Sequence, residues 1–363
     1  MHVLWLGSVL GTSAAAAPAV QVAAADGANL QRPHWSPDGK KLSYEANYHD
    51  EKRIELWMGD PTTRRFDQVR ARSRSTTNLT QGFSTTGESG SVAHEIAFAP
   101  AALGAFVYAA SNDLFDYDLY ISSGAVSEAT PIAAGSGADG GARWSPDGSY
   151  IAFTSARTGE GDLYLLDTKQ IEAPPRRLTT QANSSELYVD WGPDGRTLVF
   201  VAHSSSGDNL WVLPAIGANP SRLTVWQGNQ IRPRWAPVGR QVAFYANHDD
   251  PDRFDLYVVE VGGAPRLIAR GVYPDTRGPA WTPDGQHIVY VADDDANYDP
   301  IRAVRVADPT KVATLPLGTV GNGDLDLAVR AGVPTLAVVS QGLADDARRD
   351  FKRLFVAPLP PLP

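Results

Sequence analysis

Short apolar stretches alternate with polar turns along this chain, and their internal order repeats. One stretch reads Ile151-Ala152-Phe153-Thr154; it returns as Leu198-Val199-Phe200-Val201, Val242-Ala243-Phe244-Tyr245 and Ile288-Val289-Tyr290-Val291. Runs of this length, rich in β-branched and aromatic side chains and bounded by turn residues, predict buried strands. After a polar loop a second apolar strand follows: Asp162-Leu163-Tyr164-Leu165-Leu166, Asn209-Leu210-Trp211-Val212 and Asp255-Leu256-Tyr257-Val258-Val259. A shorter segment closes each unit: Arg177-Leu178-Thr179, Arg222-Leu223-Thr224 or Arg266-Leu267-Ile268.

Each unit is introduced by one phrase. Trp35-Ser36-Pro37-Asp38-Gly39 returns as Trp144-Ser145-Pro146-Asp147-Gly148, Trp191-Gly192-Pro193-Asp194-Gly195, Trp235-Ala236-Pro237-Val238-Gly239 and Trp281-Thr282-Pro283-Asp284-Gly285. Pro presets φ and Gly accepts positive φ, so the phrase makes a turn after a strand ending at the Trp. From Trp144 onward the intervals are 47, 44 and 46 residues. Four short strands per period of this size describe one blade of a β-propeller. Two degenerate copies extend the series. Ile96-Ala97-Phe98-Ala99-Pro100 leads into Phe106-Val107-Tyr108-Ala109, with Phe98 in the Trp slot. Leu325-Asp326-Leu327-Ala328 leads into Thr335-Leu336-Ala337-Val338-Val339 and Arg353-Leu354-Phe355-Val356, with Ala328 in that slot. The expected class is all-β: one β-propeller over residues 18–363 with seven four-stranded blades, six being the alternative.

The seventh unit runs out after its third strand, because the proline run from Pro358 to Pro363 is unsuited to a paired strand. In later units the outer strand lies 12 to 14 residues before the next Trp, and thirteen residues before Trp35 stands Val22, inside Ala19-Val20-Gln21-Val22-Ala23. That segment is therefore expected to complete the last blade and close the ring. One interval is irregular: Trp35 to Phe98 spans 63 residues, which predicts an insertion at about 66–94, basic at first and then rich in Ser, Thr and Gly. Leu79-Thr80 within it fits the outer-strand ending.

The apolar run Val3 to Leu10 followed by Ala14 to Ala17 resembles a secretory leader, so residues 1–17 are read as a leader and the product as periplasmic or secreted, with the cytoplasm as the alternative. Lys+Arg 32 against Asp+Glu 41 gives a net charge of -9, which argues against nucleic acid as a partner. With Cys 0 there are no disulfides or thiolate sites. No stretch reaches the roughly 20 apolar residues of a spanning helix; a monomer without a membrane span is expected.

At the Trp-Ser-Pro-Asp-Gly turn, the strand Ile151-Ala152-Phe153-Thr154-Ser155, the Asp-Leu-Tyr strand and the Arg-Leu-Thr ending, the chain resembles the TolB-like β-propeller family, with WD40-like PD40 repeats. The resemblance covers residues 19–357. It implies the fold and, more loosely, a binding role in the cell envelope. TolB proteins place an α/β domain ahead of a six-bladed propeller; the repeats here begin near residue 19 and number seven, which puts a Tol–Pal role in doubt.

Candidate chemistry lies in loops. The loops between second and third strands are acidic: His49-Asp50-Glu51, Asp113 with Asp116 and Asp118, Glu160 with Asp162, Asp208, Asp249-Asp250, Asp293-Asp294-Asp295 with Asp299, and Asp345-Asp346. A negative mouth of this kind would draw cations or a basic partner. Asp293, Asp294, Asp295 and Asp299 offer clustered oxygens of the type Ca²⁺ takes, while Asp is also a common turn residue; no other cofactor is expected. The residue before the Trp varies (His34, Arg143, Asp190, Arg234, Ala280), and with Arg232 and Arg277 this set could line the channel mouth or form interblade salt bridges. The repeated Trps are read as packing between blades. Tyr188, Trp226 and Tyr273 lie in interblade loops, where amphipathic aromatics make interface anchors.

Catalytic signatures are absent: there is no Gly-x-Ser-x-Gly elbow, no His-Glu-x-x-His, and no room after residue 357 for a hydrolase domain. The expected function is therefore non-catalytic binding of a protein or peptide across the acidic, aromatic-bearing face, through Tyr188, Trp226, Tyr273, Arg232, Arg234, Asp249 and Asp250. The alternatives are a stand-alone metal-dependent lyase or hydrolase, or an accessory module of a serine peptidase.

Overall fold

The computed structural model describes residues 17–363 except 26, 49–53, 70–91, 112–116, 125–128, 134, 182–183, 206, 275, 295–298 and 345–350. The described residues form seven four-stranded antiparallel sheets and no helix, so no helix is long and apolar enough to cross a membrane. Blades 1 to 7 take their inner strands from Ala28–Trp35, Val92–Phe98, Asp139–Trp144, Ser185–Trp191, Gln230–Trp235, Ala280–Trp281 and Thr319–Arg330. In blades 1 to 6 the four strands follow one another in sequence; in blade 7 the outer strand is Val20–Ala23, paired with Arg353–Pro358. The ring is closed by the N-terminal segment, as the spacing of Val22 predicted. A register shift between Gln21 and Ala23 turns Val22 inward, where it is 7% exposed against Ala337, Val339 and Leu354.

The repeated phrase forms the turn between the first two strands because its side chains bond its own backbone. Ser36 Oγ donates to Asp38 Oδ1 at 2.7 Å, which also accepts the Lys40 N–H at 3.1 Å. Ser145 with Asp147, and Thr282 with Asp284, repeat the arrangement at 2.6 Å. These bonds hold Asp147 and Asp284 below the usual carboxylate range. Gly39, at φ 66°, is required twice over: a Cβ there would sit 2.6 Å from the carbonyl oxygen of Val329 in blade 7. Blade 7 itself uses Ala331 and Gly332, both at positive φ, the backbone of a tight hairpin.

The Arg-Leu-Thr ending ties one blade to the next. Thr179 Oγ1 accepts the Leu163 N–H at 2.9 Å within blade 3 and donates to Glu186 of blade 4 at 2.7 Å. Thr224 repeats this with Leu210 and Gln230 at 2.8 and 3.0 Å. The Trps join the same interface. Trp144, Trp191 and Trp281 donate from Nε1 to the carbonyls of Ala97, Arg143 and Arg234 in the preceding blades, at 3.2, 3.0 and 3.0 Å.

Two expectations need adjustment, and two fall outside the described residues. Phe66 belongs to Arg65–Gln68, the outer strand of blade 1, and Val92 to His94 belong to the inner strand of blade 2, so both ends of the expected insertion are blade structure. Leu79-Thr80 falls among residues 70–91, outside the described set, as do residues 1–16 of the expected leader. Pro358 does pair, opposite Thr335, as the last residue of its strand. A terminal proline needs no N–H for the ladder beyond it, and Leu359 and Leu362 then pack on the core.

Candidate functional site

In six of the seven blades the residue three places before the aromatic slot has positive φ: Arg32, Glu95, Gly141, Tyr188 and Arg232 within the inner strand, and Gly278 just before it. Register shifts accompany it between Gln31 and His34, His94 and Ala97, Gly140 and Arg143, Leu187 and Asp190, and Ile231 and Arg234. This is a β-bulge repeated around the axis, re-aiming the end of each inner strand. Four of the six are not glycine, and a left-handed non-glycine residue costs on the order of 1 kcal/mol. Carboxylates offset part of that cost: Glu45 accepts the Glu95 N–H at 2.8 Å, and Glu95 in turn accepts the Gly141 N–H at 2.6 Å.

Beyond the bulges the channel holds a cavity of about 430 Å³. The residue preceding the aromatic slot lines it in every blade: His34, Ala97, Arg143, Asp190, Arg234, Ala280 and Leu327. Phe98, Trp144, Trp235 and Trp281 add apolar wall, so the repeated aromatics face the cavity as well as packing between blades. Pro237 and Pro283 belong to the turns, which places the cavity at the Pro-Asp-Gly end of the axis and away from the acidic loops.

Its two carboxylates are committed. Asp326 Oδ2 accepts the Trp35 N–H at 2.8 Å and the Nδ1–H of His34 at 2.9 Å. Asp190 Oδ2 accepts the Trp235 N–H at 2.9 Å. Trp35 and Trp235 are the copies whose buried indole N–H has no partner, so the blades are stitched either by an indole or by a channel aspartate. Burial, reinforced by Arg277, lowers the pKa of His34 to about 4, which leaves the ring neutral at pH 7.

The three guanidiniums are less occupied. Arg143 donates to the Ala142 carbonyl at 2.9 Å, and Arg234 donates to the carbonyls of Pro233 and Arg277. Among the described residues no carboxylate lies within 4.0 Å of the charged nitrogens of Arg143, Arg234 or Arg277. Burial, then the fields of Arg234 and Arg277, lower the pKa of Arg143 to about 9. These cations lie in the fields of Asp190, Asp324 and Asp326 without a direct ion pair to any of them.

The residues expected to bind divide three ways. Arg234 lines the cavity, while Arg232 and Tyr188 stand at the bulges, the guanidinium 4.5 Å above the ring. Trp226 is on the loop face, stacked on His248 at 4.4 Å, with Val225 beside it 77% exposed. Tyr273 packs on the core of blades 6 and 7, with Lys352 Nζ 5.7 Å from its ring. The acidic mouth is not a free negative surface where it is described. Asp249 pairs with Arg270 at 3.3 Å, Asp250 with Arg253 at 3.8 Å, Asp294 with Arg302 at 3.9 Å and Asp162 with Arg177 at 2.7 Å. Asp295 lies outside the described residues; burial, then Asp293 and Asp294, raise the pKa of Asp299. Among the described residues no group of three or more His, Asp or Glu side chains is placed to hold a metal ion.

No family model matches the chain. An uncharacterized protein of Agrobacterium fabrum is 25% identical over 274 residues, 72% of this chain and 84% of its own length. The Tol-Pal system protein TolB of Alcanivorax borkumensis is 25% identical over 146 residues, 38% of this chain and 33% of its own. Among solved structures, TolB from Acinetobacter baumannii superposes with a TM-score of 0.51 at 17% identity, covering 78% of this chain and 61% of that one. Oligogalacturonate lyase from Vibrio parahaemolyticus superposes with a TM-score of 0.62 at 12% identity, covering 93% and 92%. Likeness at these identities carries the architecture alone. In fold, this chain is a seven-bladed β-propeller, similar to the propellers of TolB and of oligogalacturonate lyase.

Proposed function

We propose that this chain is a non-catalytic, TolB-like propeller of the cell envelope that binds a protein or peptide partner on its Pro-Asp-Gly face. The supporting observation is the chemistry of that face. Leu103, Val238, Val329 and Val333 are 51%, 55%, 38% and 46% exposed, and all lie in or beside the turns of blades 2, 5 and 7. These are the blades whose turns lack the repeated Asp, so apolar side chains stand where the other turns present a carboxylate. Single exposed apolar residues are ordinary; here they stand on the turns of three separate blades of one face, the face at which the cavity lies. The loop face is the weaker candidate because arginines neutralise its acids.

The test is capture from an envelope fraction by the intact protein and two multiple variants. Leu103→Asp with Val238→Asp should lose the partner, and reversal of Asp249, Asp250, Asp293 and Asp294 to Lys should retain it. The opposite outcome would move the surface to the loop face, and a partner set unchanged by either variant would refute binding on both.

A further inference from the structure

We infer that the axial cavity is a carboxylate site, in which Arg143, Arg234 and Arg277 receive the C-terminal carboxylate of a partner chain entering from the Pro-Asp-Gly face. The inference rests on the reading of that face as a partner surface and adds the chemistry at its centre.

Four observations carry it. The first is donor supply. A guanidinium presents five N–H groups in a planar fork suited to carboxylate, and those of Arg143 are engaged by a single carbonyl. The second is charge. Asp190 and Asp326 face the same cavity but are held by the amides of Trp235 and Trp35, and His34 is neutral there. Three cations therefore meet two committed anions, and one positive charge is uncompensated. That balance suits a monoanion, because a doubly charged phosphoryl group would also face the two aspartates. Asp324 and Arg232 add one charge of each sign and leave that excess unchanged, Asp324 accepting the Arg277 N–H and acting on Arg277 before Arg232. Burial first, then the fields of Arg234 and Arg277, lower the pKa of Arg143 there.

The third is shape. About 430 Å³ sits at the low end of ligand pockets, room for one chain end but not for a loop that must enter and leave. The fourth is the wall. Phe98, Trp144, Trp235 and Trp281 exclude water around the arginines and would pack on the last side chains of an entering peptide. In such surroundings a charge-assisted bidentate pair is stronger than in water.

The test is calorimetry with acetyl-Ala-Leu-Phe bearing a free C-terminus, its C-terminal amide, and inorganic phosphate. The acid should bind, and the amide should bind at least tenfold more weakly. Arg143→Gln and Arg234→Gln should each weaken the acid at least tenfold, while exposed Arg176→Gln leaves it unchanged. If a Gln variant melts early, Arg143→Lys, which keeps the charge but loses the fork, should still show intermediate affinity. Equal affinity for acid and amide, tighter binding of phosphate than of the acid, or Gln variants that bind normally would each overturn the proposal. So would no binding of any probe. If Leu103→Asp with Val238→Asp still abolished capture in that case, the partner surface would stand and the carboxylate site alone would fall. Acid-specific binding with capture insensitive to both turns would do the reverse.

Discussion

Replacing Val22 by Asp tests ring closure at one side chain. Val22 is 7% exposed and its neighbour Val20 is 48% exposed, although both lie on the four-residue strand that completes blade 7. Losing a buried Val removes about 1.5–3 kcal/mol. Burying a carboxylate without a partner adds on the order of 1–3 kcal/mol, so Val22→Asp should cost about 2.5–6 kcal/mol. Unfolding entropy near 2.1 cal/mol/K per residue gives roughly 0.8 kcal/mol/K for a chain of this length. The expected fall in Tm is therefore about 3–8 °C, and Val20→Asp should move it by less than about 1 °C. Differential scanning calorimetry at neutral pH reads both. Deleting residues 18–25 should lower the melt by at least as much, and adding the peptide back should restore it. Equal shifts for the two valine variants, or an unchanged melt on deletion, would refute closure by this strand.

The scaffold was legible because it repeats. A Trp, a Pro-Asp-Gly turn and an Arg-Leu-Thr ending are needed wherever a blade turns and meets its neighbour, so the same side chains recur at the same register. What misled was the broken interval in blade 1. Its outer strand, Arg65–Gln68, has neither the Leu nor the Thr of the ending. The bulges were illegible for another reason. Gly141 and Gly278, each three residues before a Trp, were the available signal, and Arg32, Glu95, Tyr188 and Arg232 conceal it at the same register. The ion pairs of the acidic mouth were only partly legible: Arg253 stands three residues from Asp250, whereas Arg270 stands 21 residues from Asp249 in the chain.

The side chain before the aromatic slot bonds a neighbouring blade in only some copies, among them His34 to Asp326 and Asp190 to the Trp235 N–H. The carbonyl at that position accepts a neighbouring indole in three blades, a bond that any residue can make, and the side chain faces the axis. Seven copies are thus free to diverge into His, Ala, Arg, Asp, Arg, Ala and Leu while the adjoining aromatic is retained in six. The site is written in the part of the repeat that does not repeat, which is why a period-based reading found the ring before the cavity.

Three further outcomes are expected. Gly39→Ala should cost about 2–4 kcal/mol by urea denaturation, since it meets both a left-handed φ and the Val329 carbonyl, while Gly27→Ala, with φ 77° and nothing within 4 Å, should cost about 1; equal costs would remove the interblade contact from the argument. Thr179→Val should cost about 2 kcal/mol by leaving the Leu163 N–H and Glu186 short of a partner, and Thr179→Ser should recover most of it; a neutral Val variant would deny the bridge. The last concerns Asp324, whose pKa burial raises to about 6 against an ordinary value near 3.8. Below about pH 4 both folded and unfolded chains hold the proton. Between about pH 4 and 6 the unfolded chain has released it and the folded chain has not, so the stability this group contributes is lost as pH rises. Asp324→Asn keeps an oxygen for the amides of Arg277 and Leu325 and has no proton to lose. Its stability relative to the native protein should therefore improve steadily from pH 4 to about pH 7, and a difference that is flat or of opposite slope would show that Asp324 is not held protonated by the fold.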